Sequence, residues 1–382
     1  MSAALLVACS SDSNDNTSAT GGGSLTITAS AEALGLTGYS FPPASGQEVF
    51  FVDGWQIRFE HVITTIDQIT LSSGADTNLT DKSQVGTAVA SLDGPFAVDL
   101  HTLSAADDGG MVGKGGSGEL AITLGTLSNQ NLNGGQAFSD TERYAFGFKL
   151  IPALASAKKV NLNAEATTLY DEMISKGYTH YFVGTATWEG ASASCITSDQ
   201  SLAEGERFDF STLPSEVHFK FGLNFTGALS QINCENPDNQ GEPVQGEEFQ
   251  RGVFIRANEP NVAQVTVHTD HIFWDSLVHD SPAHFDAFAL FAKNTTGGKA
   301  EVTLEDLAAA DFTSFSLVGG KPLPWRSCVD SSLYTLPTSN PMNYQDNGLG
   351  LKSFEQFVET AAATMGHLNA DGLCYVSGVG NE

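Results

Sequence analysis

The stretch Trp55-Gln-Ile-Arg-Phe-Glu-His-Val-Ile63 alternates between apolar and polar side chains. Trp55, Ile57 and Phe59 occupy every second position, and polar or charged residues stand between them. Because successive side chains of a β-strand point to opposite faces, a period of two is typical of a strand with one buried face. We therefore predict a half-buried strand over residues 55–63.

The same alternation recurs along most of the chain. It is found at residues 25–28, 96–101, 119–125, 143–151, 178–188, 217–225, 251–257 and 263–270, with Gly, Asn, Asp and Ser between the segments. Many short strands separated by polar turns predict a mainly β protein with an antiparallel β-sandwich or barrel-like body. One helix interrupts this body, from Ala164 to Lys176, and Gly177 is placed to end it.

Near residue 270 the strand-like alternation gives way to helical and irregular patterns. Thr303, with Asp306 three positions later, is placed to begin a helix. Residues 354–367 have the apolar spacing of an amphipathic helix, and His367 would stand at its C-terminal end, where a helix favours a cationic imidazole. We predict a β-rich body over residues 25–270, followed by a small, mostly helical and irregular C-terminal part over residues 271–382 that packs on it.

Charge narrows the classes of partner. The 382 residues include 45 acidic and 17 basic side chains, which gives a net charge of −28. Such a field repels nucleic acid and anionic lipid surfaces. After residue 9 no segment has the roughly 18 or more consecutive apolar residues of a transmembrane helix, so a lipid is the only membrane attachment that we expect.

Of the five cysteines, Cys9 stands alone near the start of the chain, and the other four lie between residues 195 and 374. Leu6-Val-Ala-Cys9 resembles a bacterial lipobox, in which the cysteine is acylated, so residues 1–9 are interpreted as a signal remnant with lipobox and residues 10–24 as a flexible tether. The remaining four fit two disulfides in an oxidising compartment. Counting leaves three pairings open, and proximity in sequence favours Cys195–Cys234 and Cys328–Cys374.

A histidine- and aspartate-rich segment is the candidate functional site. Residues 268–286 hold four of the nine histidines, interleaved with aspartates. Imidazole and carboxylate together suit borderline divalent ions, here zinc or copper. The candidate ligands are His268, Asp270, His271, His279, His284 and Asp286, with His101 from a separate strand.

Two other chemistries are less well supported by the sequence. The stretch from Gly297 to Leu307 resembles the second half of an EF-hand loop, but Lys299 stands where a calcium ligand is required, so we do not expect calcium there. No nucleophile elbow, P-loop, dinucleotide fingerprint or haem-attachment motif is present, which favours a non-enzymatic role.

Taken together, these segments resemble secreted bacterial lipoproteins of unassigned function that carry a His-x-Asp-His segment, here His268 to His271, before an EF-hand-like stretch and a terminal cysteine. The resemblance implies a lipid-anchored protein of the bacterial cell envelope, at the outer membrane or cell surface. The function that we predict is binding or capture of a divalent transition metal. The alternatives are an adhesin or scaffold module that binds an envelope protein or a glycan, and a metal-dependent hydrolase.

Overall fold

The protein is mainly β, as the alternation predicts, with a sandwich-like body built from several sheets and few helices. The computed structural model describes residues 22–44, 48–101, 113–114, 119–197, 203, 207–310, 316–318, 321–322, 326–334 and 348–377. Cys9 and the expected tether up to residue 21 lie outside these residues.

The elements are numbered in chain order. The strands are β1 (Leu25–Ser30), β2 (Trp55–Ser72), β3 (Ala88–Leu92), β4 (Phe96–Asp99), β5 (Ile122–Leu127), β6 (Arg143–Leu150), β7 (Lys158–Lys159), β8 (His180–Trp188), β9 (Ile196–Thr197), β10 (Glu216–Leu223), β11 (Leu229–Ile232), β12 (Val253–Phe254), β13 (Asn261–Val267), β14 (Lys293–Asn294), β15 (Ala300–Thr303), β16 (Ser316–Val318), β17 (Lys321–Pro322), β18 (Arg326–Ser327), β19 (Gly366–Leu368) and β20 (Tyr375–Val376). The α-helices are α1 (Glu32–Thr37), α2 (Ala164–Lys176), α3 (Asp286–Ala289) and α4 (Phe354–Ala362), and 3₁₀ helices lie at Ser192–Ser194, Phe210–Thr212, His271–Phe273 and Leu304–Ala309.

Strand β2 organises the large sheet. It is 18 residues long and pairs antiparallel with β8, β6, β3 and β4. Its first residues alternate, with Trp55 and Ile57 fully buried, as predicted. Further along, both faces are buried because α2 covers the second one and packs Tyr170 and Met173 into a cluster with Ile63. The alternation fades there because the strand no longer has a solvent face.

Helix α2 has the bounds that the sequence predicts. The side chain of Asn163 accepts a hydrogen bond from the backbone N–H of Ala166, and Gly177 adopts the left-handed conformation with φ of 76°. Both are common ways in which helix ends satisfy their unpaired backbone groups.

Helix α4 is shorter than predicted. It ends at Ala362, and Gly366–Leu368 forms strand β19 instead of a last helical turn. The backbone of this segment pairs with β13, which offers a full set of hydrogen-bond partners where a helix end offers few. His367 is therefore a strand residue, and the expectation that it stands at a helix C-terminus is wrong.

The C-terminal part contributes strands to both main sheets. Strands β14, β15 and β20 join the large sheet, and β19 joins the small one. The EF-hand-like stretch contains β15, which pairs antiparallel with the preceding strand β14, and most of the 3₁₀ helix that follows. Thr303 and Asp306 form the predicted capping box at its start.

The small sheet positions the candidate site. Its strand order is β19-β13-β1-β5, and β1 pairs parallel with β13. Strand β19 pairs antiparallel with β13 and sets His367 opposite Thr266 and Gly366 opposite Val267. The residues that follow β13 therefore emerge beside His367, about one hundred positions later in the chain.

All four cysteines after Cys9 form disulfides, but the predicted pairing is wrong. The bonds are Cys195–Cys328 and Cys234–Cys374. Each bond lies at the end of a strand pair, β9 with β18 and β11 with β20. Proximity in sequence failed because strand pairing brings together residues 133 and 140 positions apart.

The two disulfides indicate an extracytoplasmic protein, because structural disulfides persist in oxidising compartments. Among the helices of the described ranges, none has the length and apolar character needed to cross a bilayer.

Candidate metal centre

Three histidines converge at the end of β13. Each of His268, His271 and His367 offers a ligand atom that lies within 4.8 Å of those of the other two. The backbone N–H of His268 donates to the carbonyl of Met365 at 2.9 Å, which ties the end of β13 to the residue before β19. His271 begins the 3₁₀ turn His271–Phe273, which is fixed by burial of Ile272 and Phe273 in the core.

Thr364 determines which nitrogen of His271 can bind a ligand. Its hydroxyl donates to the carbonyl of Ala361 at 2.9 Å, so it can only accept from Nδ1 of His271, which lies 3.1 Å away. Nδ1 therefore carries the proton and Nε2 carries the lone pair. Nε2 of His271 is buried and has no hydrogen-bond partner among the described residues. An orphaned buried acceptor is costly unless a ligand occupies it.

The same threonine orients His367. Its backbone carbonyl lies 3.1 Å from Nε2 of His367. A carbonyl only accepts, so Nε2 is the protonated nitrogen and the lone pair of a neutral ring is on Nδ1. A backbone or carboxylate partner on the other ring nitrogen is a usual feature of histidines that bind metals.

His268 differs from the other two because an acid lies beside it. Its Nε2 is 3.3 Å from a carboxylate oxygen of Glu32 and 3.2 Å from the carbonyl of Ala370. Burial acts to lower the pKa of His268, but the charge and hydrogen bond of Glu32 outweigh it and raise the pKa to about 9. Asp270 and Asp371 add to this increase. His268 is therefore protonated at neutral pH in the metal-free protein.

His271 and His367 are neutral at the same pH. Both rings are fully buried, and burial lowers the pKa of each well below the ordinary value. The positive charge of His268 lowers both pKa values further. The centre thus combines two neutral imidazoles with one whose proton an incoming cation must displace.

His279 is a fourth ring next to this group. Its centroid lies 5.9 Å from that of His271 and 5.7 Å from that of His367. Nδ1 of His279 is 3.1 Å from the carboxylate of Asp280, which follows it in the loop and has φ of 60°. The ring therefore lies beside the three convergent histidines, but none of its nitrogens belongs to the group whose ligand atoms converge within 4.8 Å.

Asp270 supports the centre from one side. Its carboxylate accepts a hydrogen bond from the indole N–H of Trp274 at 2.8 Å. The Trp274 ring in turn stacks on His271, with 3.7 Å between centroids. Asp270 thus holds the aromatic ring against which His271 rests, and it does not belong to the groups whose atoms converge on one point.

His284 and Asp286 belong to a separate buried cluster. Nε2 of His284 lies 3.4 Å from Asp275, and Asp286 accepts from the indole of Trp55 at 2.7 Å. The guanidinium of Arg326 donates to both oxygens of Asp286, at 2.7 and 2.8 Å. The structure therefore divides the nineteen-residue segment between two sites.

His101 also lies apart from the three convergent histidines. Its Nδ1 is 2.8 Å from the carbonyl of Gly35, and its backbone N–H donates to Asp99. Of the candidates named from the sequence, the structure brings His268 and His271 together, with His279 beside them. The other four candidates, His101, Asp270, His284 and Asp286, lie outside the converging groups, and the third histidine is His367, which the sequence did not suggest as a ligand.

Comparisons with known proteins supply no relative for this chain: no protein-family model, curated protein or solved structure matches it.

Proposed function

We propose that the protein binds one divalent transition-metal ion, zinc or copper, through His268, His271 and His367. The observation that carries this proposal is the convergence of three imidazole ligand atoms within 4.8 Å. Nε2 of His271 is buried and has no partner within the described ranges, which supports the proposal because a bound ion would satisfy that nitrogen. His271 and His367 are neutral imidazoles oriented by Thr364. Neutral imidazole nitrogen suits zinc and copper better than calcium or magnesium, which prefer oxygen ligands.

His279 is the proposed fourth ligand. With a Zn–N bond of about 2.1 Å, the ring centroids of a tetrahedral histidine site lie about 5.3 Å apart. The observed separations of 5.4 Å between His271 and His367, and of 5.9 and 5.7 Å from these two to His279, are close to that value. The 4.0 Å separation of His268 and His367 is shorter, so these two rings would move apart around an ion.

The binding test is a calorimetric titration of the purified chain with Zn²⁺ and Cu²⁺. We expect one site per chain and release of about one proton per ion at pH 7.5, because His268, with a pKa of about 9, must lose its proton to coordinate. Affinity should fall about tenfold per pH unit as the pH drops below 9. For a ligand histidine with an ordinary pKa, the affinity would begin to fall only near pH 6.5.

The number of protons released per ion is obtained by repeating the titration in two non-chelating buffers that differ in ionisation enthalpy. Binding by exposed carboxylates alone would release no proton at pH 7.5, and that result would contradict the proposed ligands. If neither ion binds, the adhesin or scaffold alternative takes the place of metal binding.

We further propose that the native protein is lipid-anchored in a bacterial cell envelope through Cys9. The support is the lipobox-like Leu6–Cys9 sequence and the polar, glycine-rich segment that follows it. In cells expressing the native gene, the protein should partition into the detergent phase, and Cys9→Ser should move it to the aqueous phase or leave it unprocessed. A wild-type protein without an acyl chain by mass spectrometry would contradict the anchor.

A further inference from the structure

Two carboxylates stand on the solvent side of His268. Glu32, Asp371 and His268 each offer a ligand atom within 4.8 Å of the others, so His268 belongs both to this group and to the three-histidine group. Glu32 opens α1 with φ of 57°, a conformation that non-glycine residues seldom adopt, and its backbone N–H is held by the hydroxyl of Ser30 at 2.9 Å. Asp371 lies in the tight turn that follows β19, next to Ala370, which has φ of 72°.

Exposure decreases steadily from this pair to the inner histidines. Asp371 is exposed, Glu32 and His268 are half-buried, and His271 and His367 are fully buried. A cation that reaches the inner rings from the side of Asp371 therefore meets the two carboxylates first and His268 next. Nε2 of His271, which has no hydrogen-bond partner in the part of the chain that the structure describes, marks the inner end of this series.

Resting on the metal-binding function above, we propose that Glu32, Asp371 and His268 form an outer site for a divalent cation. The two carboxylates receive the ion from solvent, and the ion displaces the proton of His268 before it passes to His271 and His367. Its chemistry fits the first step, because carboxylates hold a cation that still keeps part of its water shell. The inner imidazoles fit the second step, because they replace that water with nitrogen ligands in a buried setting.

The rate of ion uptake tests this proposal, and Trp274 provides the signal. Its ring stacks on His271 at 3.7 Å, so paramagnetic Co²⁺ bound at the inner site should quench its fluorescence. In stopped-flow mixing of the full chain with Co²⁺, the observed rate should rise with concentration and then saturate, as the outer site fills before transfer. Trp274→Phe should remove the signal while visible absorption still reports bound Co²⁺.

Asp371→Asn is the decisive variant, and Glu259→Gln is its matched control. Glu259 is also exposed, and it lies beyond the opposite end of β13, roughly 20 Å or more from His268 at 3.3 Å per residue. We expect Asp371→Asn to lower the initial slope of the rate roughly tenfold, while Glu259→Gln leaves it near wild type. Dissociation into excess chelator should slow in the same proportion, because an ion leaves by the route through which it arrives.

Three results would overturn the outer site. Equal slopes for the Asp371 and Glu259 variants would show only a general charge effect. An unchanged slope with faster dissociation would show that Asp371 stabilises the bound ion without receiving it. A rate that stays linear and insensitive to both variants would show direct binding to the inner histidines. Failure of the wild-type chain to bind Co²⁺ at all would instead overturn the metal-binding function itself.

Discussion

His367→Gln should lower the affinity for Zn²⁺ by about 100-fold or more. Apparent binding free energies of about 10–16 kcal/mol for four-ligand zinc sites correspond to about 3 kcal/mol per ligand, which is about 100-fold in affinity. Glutamine keeps a polar side chain near the carbonyl of Thr364, so the loss is attributable to the ring nitrogen that faces the centre. Calorimetric titration with Zn²⁺ above pH 7 gives the ratio.

Two controls make this result specific. His218→Ala removes a half-buried imidazole that lies between Glu60 and Glu301 on the surface, and it should leave the affinity within about threefold. His284→Ala, in a residue that the sequence suggested as a ligand, should reduce stability without abolishing the site. If His284→Ala abolishes binding in a folded protein and His367→Gln does not, the ion lies in the other cluster.

Arg326→Met should destabilise the protein by about 3–5 kcal/mol, because it leaves a buried carboxylate without its cation. The guanidinium makes two hydrogen bonds to Asp286 and lies over the ring of Trp188, at 4.3 Å from its centroid. Asp53 is buried beside Asp286 and accepts a hydrogen bond from the backbone N–H of Asp286 at 2.8 Å, so two carboxylates share one buried region. Urea unfolding with the disulfides intact measures the change.

The loss of stability caused by Arg326→Met should increase as the pH rises. Burial, followed by the charge of Asp53, already raises the pKa of Asp286 to about 7, although Arg326 opposes the shift. A carboxyl with a raised pKa binds its proton more tightly in the folded state, so its contribution to stability falls as pH rises from the unfolded value near 3.9 through 7. The variant should therefore be more strongly destabilised at pH 8 than at pH 5.

Asp286→Asn tests whether the unpaired charge of Asp286 causes the loss of stability in Arg326→Met. In the Arg326→Met background the amide removes the unpaired charge, so it should recover part of the lost stability. A double variant no more stable than Arg326→Met alone would show that packing of the arginine, and not its charge, accounts for the effect.

Local sequence patterns predicted the local structure. The alternation at Trp55–Phe59 predicted the first half of β2, and Gly177 predicted the end of α2, because the period of a strand and the chemistry of a helix end depend on neighbouring residues. Helix α4 illustrates the limit. Its apolar spacing continues toward His367, but pairing with β13 removes the last residues from the helix, and that partner lies about one hundred positions away.

Only part of the candidate site could be predicted from the sequence, because the rest depends on contacts between distant segments. His268 and His271 follow a recognisable strand, so their proximity could be inferred. His367 could not, since only the contact between β13 and β19 brings it there, and Gly366 before it was the single local sign against a helix. The division of His271 and His284 between two clusters depends on their partners, Thr364 and Asp275, which no spacing rule identifies.

The order of the disulfides along the chain has a consequence for a protein exposed to proteases. The two bonds interleave, since Cys234 lies inside the loop closed by Cys195 and Cys328, while Cys374 lies outside it. A single backbone cut anywhere between residues 195 and 374 therefore leaves both fragments covalently joined. All of the convergent histidines lie in that interval, so one proteolytic nick cannot by itself release a fragment that carries a ligand away from the others.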